Sequence, residues 1–441
     1  MIRIYTVSEA QQSILRRGHS LEPAVPETVR ARLRHLFGEA LSPAAAVARI
    51  LDDVCQRGDE ALRFWTRRID GVELDSLVVS EAEMASALAA VPPDLLAALR
   101  LAADRIRAFH RFQPLPAWET DALGGRVGQR VTPLQRVGVY VPGGTAPLPS
   151  SLLMAVIPAQ VAGVPSIAVA TPPGADGQVA PVILAAATLC GLDTVYKLGG
   201  AQAIAALAYG TGSIPSVDKV VGAGNLFVTL AKRQVYGTVG IDGLYGPTET
   251  VVVADDTADP TWVAADLLAQ AEHDVLATAI LLTPSQSLAE AVQVEIARQL
   301  ESLGRAEVIA VALASQGGIV LTADLNEACR LASDFAAEHA CITTADAAAW
   351  ASQISNAGGL FISERSFEVL GDYVAGPSHI MPTGGTARFA SPLNVFDFVK
   401  ITSIVQLDEA TAAWLSPIAA RLAQAEQLTA HASAALKRTE K

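Results

Sequence analysis

The pattern of hydrophobic and polar positions changes near residue 136. Before this point, apolar residues recur at helical spacing in three runs, 45–63, 81–90 and 95–109, with charges on the opposite faces. After it, short runs rich in β-branched residues end at Gly or Pro and lead into stretches of helical composition. These runs read GVYVP, SIAVATPP, TVYKLGG, DKVVGAGN, ETVVVADD, AILLTP, GIVLTA, ACITTAD and GLFIS. Strands that alternate with helices predict parallel sheets with helices on both faces.

The strands are more numerous than one compact sheet would comfortably use, so the pattern predicts two units. We expect an α/β fold of two Rossmann-like parallel-sheet units, with a helical N-terminal region and a helical C-terminal tail. The turn-rich segment GIDGLYGPTE, 240–249, separates the two sets of strands. The predicted domains are an N-terminal arm at 1–25, a first α/β domain of 26–131 plus 249–385, a second α/β domain at 132–248, and a tail at 386–441.

Two expectations follow from this organisation. Ligands of open parallel sheets bind beyond the carboxyl ends of the strands, so we expect the site there, in the crevice between the units. In the tail, 408–438 reads as one Ala-rich helical stretch that can wrap a neighbouring subunit.

Composition narrows the class of protein. Apolar residues make up 51% of the 441 residues and charged residues 17%, which excludes a disordered chain and predicts extensive buried surface, shared in part between subunits. The net charge of -13 comes without a Lys/Arg cluster, so a nucleic-acid partner is not expected.

The sequence also predicts neither a membrane span nor secretion. The longest uncharged stretch, 137–175, is broken repeatedly by proline and cannot form one membrane-spanning helix. The N-terminal sequence lacks the apolar core of a secretory signal. The four cysteines show no disulfide or metal spacing, so a cytoplasmic protein with free thiols is expected.

Metal-binding chemistry is first suggested by the segment AADLLAQAEHD. Its helix-forming residues place Gln270 and His273 three apart on one helix face, where two ligand heads can converge on an ion. Imidazole is a common zinc donor and an amide oxygen an uncommon one, and two groups leave the shell incomplete. Alone, this pair fits an ordinary polar helix surface better than a metal site.

Two further segments place a carboxylate near a histidine. In AAEHACIT, Glu338 and His339 stand side by side before a strand, as a candidate acid/base pair. In GDYVAGPSHIMPTGG, Asp372 and His379 lie in a segment whose glycines and prolines predict a long structured loop. Either this loop holds its polar groups over a pocket, or Asp372 is a cap and His379 is exposed, and both interpretations stay open.

The terminal segment AEQLTAHA adds Glu426 and His431, which alone indicate a solvated helix face. Taken together, QAEHD, the EH pair, GDYVAGPSH and the terminal E-x-L-T-A-H resemble the zinc-dependent histidinol dehydrogenase family. The likeness covers almost the whole chain, including RVGVYVPGGTAPLPSS, GGAQAIAALAYGT and VTLAKRQVYGTVGID. It implies a homodimer of intertwined subunits that oxidises L-histidinol to L-histidine with two NAD, by way of L-histidinal held on the enzyme. That reaction is the final step of histidine biosynthesis.

The resemblance also implies a zinc site shared between subunits. Carried over position by position, it makes Gln270, His273 and Asp372 zinc ligands from one subunit, with His431 arriving from the other. Zinc is redox-inert, so the implied role is to orient the amine and hydroxyl of the substrate rather than to carry electrons.

The same carry-over implies the catalytic and substrate-binding residues. His339 would take the alcohol proton during hydride loss, and Glu338 would activate water on the aldehyde. Thr248 stands where the family usually has Ser and keeps the hydroxyl. The implied substrate contacts are Thr248, Gln270, His273, His339, Asp372, His379, Glu426 and His431.

The NAD contacts are also taken from the resemblance. The segment GAGNLF has Phe where a dinucleotide fingerprint needs its last Gly, so it fails as a Rossmann signal. The family likeness instead implies Tyr140, Gln202 and Asn225, on the side of the 132–248 domain. From the residues alone, these three equally fit turn positions that pack a βα junction.

The chain departs from the family pattern at four places, which read AAEHAC, GAGN, YGPTE and EQLTAH here. None removes a ligand or a catalytic group. Gln427 replaces a Gly between Glu426 and His431, so either the helix kinks there or the two side chains serve different pockets. These changes leave room for a family relative that oxidises another small polar alcohol with the same zinc and NAD machinery. A non-catalytic, zinc-stabilised dimer is a third interpretation, against which the retained Glu338 and His339 argue because a structural site would be closed.

Overall fold

A computed structural model describes the protein over residues 2–17, 26–143 and 147–438. The predicted arm and tail, and the GTA part of RVGVYVPGGTAPLPSS, therefore lie partly outside the described residues. Across the described ranges, no single helix is long and apolar enough to cross a membrane, although the bent pair Glu81–Ala90 and Pro93–Arg111 meets the length and composition test jointly.

The larger sheet is parallel throughout and, within the described ranges, has six strands. In spatial order these are β1 (Ile4–Thr6), β11 (Gly318–Leu321), β10 (Thr278–Thr283), β9 (Glu249–Ala254), β12 (His339–Thr343) and β13 (Gly359–Ile362). The first of them was not predicted, because a three-residue run inside a segment of helical composition gives no clear alternation.

The smaller parallel sheet has five strands in the part of the chain that the structure describes. In spatial order these are β6 (Val195–Lys197), β5 (Ser166–Thr171), β4 (Arg136–Tyr140), β7 (Lys219–Val221) and β8 (Gly240–Ile241). The α/β prediction of two parallel-sheet units is thus confirmed, and all nine predicted runs contain a strand.

A third, antiparallel sheet connects the tail to the region before the second unit. Its strands are β14 (Val399–Gln406), β3 (Arg126–Pro133) and β2 (Trp118–Thr120), in that order.

Helices cover both parallel sheets. Those before residue 140 are α1 (Val7–Gln12), α2 (Glu27–Phe37), α3 (Pro43–Arg57), α4 (Asp59–Asp70), α5 (Glu81–Ala90) and α6 (Pro93–Arg111). Those of the smaller unit are α7 (Pro149–Val161), α8 (Pro181–Leu189), α9 (Gly200–Tyr209) and α10 (Leu226–Val235). Those of the larger unit are α11 (Pro260–Ala271), α12 (Gln286–Leu300), α13 (Ala306–Ser315), α14 (Leu325–Phe335), α15 (Ala347–Ala351) and α16 (Glu368–Tyr373). Two short 3₁₀ helices, Thr386–Arg388 and Val395–Phe398, lead into the tail.

Each parallel sheet has an apolar core on both faces. Strand β9 shows why, since all six of its residues are buried: Val251 and Val253 face one core, and Val252 and Ala254 face the other. Continuous burial of this kind is expected of strands covered on both faces.

The early helices pack differently from the predicted domain assignment. Helices α3 and α4 contact α9, while α5 and α6 contact α8 and α7. Their apolar stripes therefore close the core of the smaller unit, although 26–131 was assigned with 249–385. The exact domain limits stay a prediction.

The sequence predicted one helical stretch over 408–438, but the structure has two helices there. Helix α17 (Glu409–Ala425) ends at Glu426, and α18 (Thr429–Leu436) begins three residues later. Gln427 lies between them with φ 63°, in the left-handed region that ends helices and favours Gly. The predicted alternative of a kink at this position is correct.

Candidate active site

Three of the polar segments singled out above, QAEHD, AAEHACIT and GDYVAGPSH, meet in one cavity of about 200 Å³ between the two parallel sheets. Seven of the predicted site residues line it, namely Thr248, Gln270, His273, Glu338, His339, Asp372 and His379. The smaller unit contributes the start of α7 and Ala223, after β7, to the opposite wall.

The expected position at the carboxyl ends of the strands is correct for one sheet and wrong for the other. Ala223 follows β7, at the carboxyl edge of the smaller sheet. In the larger sheet, Thr248 precedes β9 and Glu338 precedes β12, so the site lies at the amino edge of that sheet. Helix α11 follows β9 and runs back to the amino edge of the sheet, and α14 ends at this edge just before β12. The carboxyl ends of both helices therefore point toward the cavity. The negative ends of helix dipoles favour cations, whereas the amino end of α7, whose Ser150 and Ser151 line the opposite wall, favours anions.

Glu338 and His339 are held by the main chain of the adjacent strand. The amide of Glu249 donates to Glu338 Oε2 at 3.2 Å, and the carbonyl of Glu249 lies 3.3 Å from His339 Nδ1. A carbonyl can only accept, so Nδ1 carries the hydrogen and Nε2 is the ring nitrogen left for substrate chemistry. Nε2 lies 3.5 Å from Asp372 Oδ1.

Burial shapes the protonation of this pair. Glu338 is 8% exposed and His339 3% exposed. Burial raises the pKa of Glu338 to about 7, although His339 and the Thr248 hydrogen bond oppose the rise. Burial lowers the pKa of His339, but nearby carboxylates, led by Glu338, outweigh burial and raise it to about 10.

Gln270 and Thr248 form the floor of the cavity beside this pair. The Thr248 hydroxyl lies 2.8 Å from Gln270 Oε1 and 2.6 Å from Glu338 Oε2. Its single hydrogen can serve one of these acceptors at a time. Gln270 is in the last turn of α11, but His273 lies just past the helix end, which corrects the prediction of one shared helix face. The turn still brings both side chains to the same cavity.

Asp372 and His379 also face this cavity, which decides between the two interpretations of their segment. The prediction of one long loop is wrong for Asp372, which lies on α16. His379 Nδ1 donates to the carbonyl of Asp372 at 2.7 Å, and the Ser151 hydroxyl lies 3.1 Å from Nε2. Burial raises the pKa of Asp372, but the close approach of His339 Nε2 and the charges of nearby histidines outweigh burial and lower it.

The donor chemistry around Asp372 fits a divalent cation. An amide oxygen, an imidazole and a carboxylate, from Gln270, His273 and Asp372, line one wall, and nitrogen and oxygen donors of this kind bind zinc. Buried Glu338 and Glu368 lie nearby and add negative charge when they ionise. The set from one chain is incomplete, and within 2–17, 26–143 and 147–438 no group of three or more His, Cys, Asp or Glu could hold a metal.

Glu426 and His431 lie away from the cavity of their own chain. Both are exposed on the tail, with Glu426 at the end of α17 and His431 on α18. Neither lines the cavity formed by the other predicted residues.

Tyr140, Gln202 and Asn225 lie at the carboxyl edge of the smaller sheet. The Tyr140 hydroxyl accepts from the amide of Gly200 at 3.2 Å, and Gln202 is fully buried. Asn225 caps α10 by accepting from the amides of Phe227 and Val228. Each side chain therefore packs a βα junction, and no contact here tests a role in NAD binding.

Several residues of the cavity wall were not predicted. Ser151 and Tyr245 both line it, and only the quoted segment ending in PSS pointed toward Ser151. Tyr245 is held by Lys232, which is 1% exposed, with its Nζ 4.7 Å from the Tyr245 ring. Lys232 also forms a buried ion pair with Asp242 and donates to the carbonyl of Gly222 at 2.8 Å.

Comparison with known proteins adds an independent result. The sequence profile of the histidinol dehydrogenase family matches residues 39–439. The chain is 55% identical over 413 residues to a histidinol dehydrogenase of Deinococcus radiodurans, covering 93% of this chain and 94% of that protein. It is 48% identical over 429 residues to one from Thermus thermophilus, covering 97% and 98%. The crystal structure of histidinol dehydrogenase from Elizabethkingia anophelis superimposes with a TM-score of 0.90 at 32% identity, over 99% of this chain and 98% of that one.

Proposed function

The chain belongs to the histidinol dehydrogenase family, and from this premise we propose that it oxidises L-histidinol to L-histidine in two NAD-dependent steps. In the first step the alcohol carbon loses a hydride and its oxygen loses a proton, giving L-histidinal and NADH. In the second step water adds to the aldehyde, and a second hydride leaves with the release of protons. The balance is one histidinol, one water and two NAD+ converted to one histidine carboxylate, two NADH and three protons.

The observation that carries this proposal is the buried Glu338 and His339 pair in a cavity that Gln270, His273 and Asp372 also line. His339 Nδ1 is occupied by the Glu249 carbonyl, so Nε2 of the neutral ring would accept the alcohol proton. The carboxylates that raise the pKa of His339 to about 10 favour the imidazolium that this step forms, and the neutral ring is the form that starts the step. Glu338, whose pKa is raised by burial to about 7, can take a proton from water near neutral pH and so serve the second step. Thr248 would position the carboxylate or contact the substrate through its hydroxyl.

The zinc ligands we propose are Gln270, His273 and Asp372 of one subunit and His431 of the other. When bound, zinc would orient the amine and hydroxyl of the substrate and add positive charge where the alkoxide develops. The incomplete donor set of one chain and the exposure of His431 on the tail support the shared arrangement.

A homodimer would complete the site. The tail displays large apolar residues to solvent, including Trp414 at 68%, Leu422 at 64% and Val405 at 71% exposure. Exposed apolar surface of this extent marks an interaction surface. We place Glu426 and His379 on the substrate imidazole, which both donates and accepts hydrogen bonds.

Tyr140, Gln202 and Asn225 remain our proposed NAD contacts, in the 132–248 domain. The amino end of α10, which Asn225 caps, supports this position because the positive end of a helix dipole favours a pyrophosphate nearby. The four free cysteines and the NAD-linked chemistry support a cytoplasmic location.

The proposal is tested by counting NADH formed per L-histidinol consumed, with purified protein before and after chelation and after zinc addition. We expect two NADH per substrate, loss of turnover on chelation and its return with zinc. A folded, zinc-bound dimer without histidinol turnover would refute the substrate assignment, and turnover of another polar alcohol would then identify a changed pocket.

A further inference from the structure

Arg17, in the N-terminal segment, reaches the back of the proposed active site. Its guanidinium binds both carboxylate oxygens of Glu249, and the contact from Nη2 is 2.9 Å. The Glu249 side chain is 8% exposed. A carboxylate this buried needs a cationic partner, and a two-pronged pair with Arg fixes its geometry as well as its charge.

The same guanidinium holds the segment that leads into the catalytic pair. Arg17 Nε donates to the carbonyl of Phe335 at 3.0 Å, and the guanidinium lies 3.5 Å from the Phe335 ring centre. Phe335 is the last residue of α14, and Ala336 then turns the chain with φ 53°. Glu338 follows two residues later. Arg17 therefore fixes the direction in which the chain enters β12.

Glu249 connects this contact to both catalytic groups through its main chain. Its amide donates to Glu338 Oε2 at 3.2 Å, and its carbonyl lies 3.3 Å from His339 Nδ1. Its carboxylate also accepts from the amide of Gly384 at 3.1 Å. One residue thus contacts Arg17 with its side chain and the catalytic pair with its backbone.

We propose that Arg17 is a positioning residue for Glu338 and His339, and that residues 2–17 act as part of the active-site framework. This inference rests on the proposed catalytic roles of that pair. The arm is itself anchored, since β1 pairs with β11 and α1 packs against the same strand. Loss of Arg17 would free the starts of β9 and β12 to shift relative to each other, and small displacements of catalytic groups cost large factors in rate.

The test compares Arg17→Met, Arg17→Lys and the matched control Arg16→Met, which makes the same charge change at the exposed neighbouring position. We expect Arg17→Met to lower kcat by about tenfold to a hundredfold, with the KM for L-histidinol nearly unchanged. Arg17→Lys keeps the charge but not the planar fork, so its kcat should fall between those of Arg17→Met and the parent protein. Arg16→Met should match the parent in both constants.

Thermal unfolding and chemical rescue distinguish the proposed positioning role of Arg17 from a purely structural role. In Arg17→Ala, guanidinium at concentrations well below those that unfold proteins should restore kcat, whereas equal sodium chloride should not. A double-mutant cycle of Arg17→Met with Glu249→Gln should show that the two losses do not add.

Equal kcat in Arg17→Met and Arg16→Met, measured per folded site, would overturn the proposal. If Arg17→Met does not fold, parental kcat in the folded Arg17→Lys protein would overturn it equally. Parent protein that lacks histidinol turnover would instead refute the proposed function, so the two failures are distinguishable.

Discussion

Residues of the same predicted site lie in two regions that differ in burial. One region is the cavity at the amino edge of β9 and β12, and the other is the C-terminal tail. In the cavity, Glu338, His339 and Gln270 are almost completely buried and are held by neighbouring strands. In the tail, Glu426 and His431 are exposed. On the proposed function, a single chain would pre-organise the acid/base pair but not the full set of metal donors, so assembly, rather than folding alone, would complete this site.

The first test breaks the cavity side and has the largest expected effect. His339→Asn keeps a donor for the Glu249 carbonyl but cannot accept a proton, so kcat should fall by about 10² to 10⁴ without loss of the fold. Turnover per folded site, together with circular dichroism, measures this. Cys341→Ala, two residues further along β12 and buried like His339, is the control and should stay active. Retention of more than about a tenth of parental turnover in His339→Asn would contradict the role.

The second test breaks the tail side. Leu422→Asp puts a charge on an apolar surface that we expect to be covered by a second copy. Burying one Leu contributes about 2 kcal/mol, and a two-fold interface contains two copies, so the dimer dissociation constant should rise roughly a thousandfold. Light scattering measures the mass, and activity should fall as the monomer appears.

Val294→Asp, on α12, is the matched control for that experiment. Val294 is 66% exposed against 64% for Leu422, but it lies outside the tail. A Leu422→Asp protein that remains dimeric at micromolar concentration would show that another surface forms the dimer.

The extent to which the sequence predicts the structure differs between the cavity region and the tail. The β-branched runs before Gly or Pro predicted strands β4 to β7 and β9 to β13 because a buried parallel strand leaves a local signature. The two-residue β8 was not predicted. The short β1 has no such signature. The motifs predicted which polar residues meet, but not that they meet at the amino edge of the larger sheet, since that depends on how two units face each other.

Non-local contacts were the part that the sequence could not predict. Arg17 and Glu249 are 232 positions apart, and no spacing rule joins them. The kink at Gln427 was one of two alternatives, and the positive φ of this residue decides it. The exposure of His431, by contrast, agrees with the solvated helix face that its segment indicated.

The third test uses pH to sharpen the contrast between buried and exposed carboxyls. Burial raises the pKa of Glu368 to about 8, although His339 and the Thr250 hydroxyl oppose the rise. Because the pKa of Glu368 is higher in the folded state than in the unfolded state, its contribution to the free energy of unfolding is complete below the unfolded-state pKa. This contribution is lost as pH rises toward 8. The slope is at most about 1.4 kcal/mol per pH unit. The Gln side chain of Glu368→Gln cannot ionise, so the variant lacks this loss. The difference in free energy of unfolding, variant minus parent, should therefore increase between pH 5 and pH 8.

Urea unfolding at several pH values across this window measures the difference. Glu409→Gln, on the exposed start of α17, is the control from the tail. Parallel pH profiles for the Glu368→Gln and parent proteins would show that Glu368 does not titrate in this range.

The smallest expected effect is at the break in the tail. Gln427 adopts φ 63°, which costs a non-glycine residue about 1 kcal/mol. Gln427→Gly should raise the free energy of unfolding by a few tenths of a kcal/mol, after the added freedom of the unfolded chain is counted, and should leave kcat unchanged. Gly38→Ala is the control, because it makes the opposite change at another helix end. Gly38 ends α2 with φ 74°, and an added Cβ would meet nothing within 4 Å. A destabilised Gln427→Gly protein would indicate that the Gln side chain itself stabilises the break.

The most direct test of a shared site mixes two inactive variants. His339→Asn damages the cavity of its own subunit, and His431→Asn removes the donor that its tail would supply to the other. After dissociation and reassociation in equal amounts, mixed dimers would each contain one intact site. The mixture should then recover about a quarter of parental activity, with activity rising in step with the amount of mixed dimer. Mixed dimers that form without any recovery, or a fully active His431→Asn protein, would contradict the claim that the site is shared between two subunits.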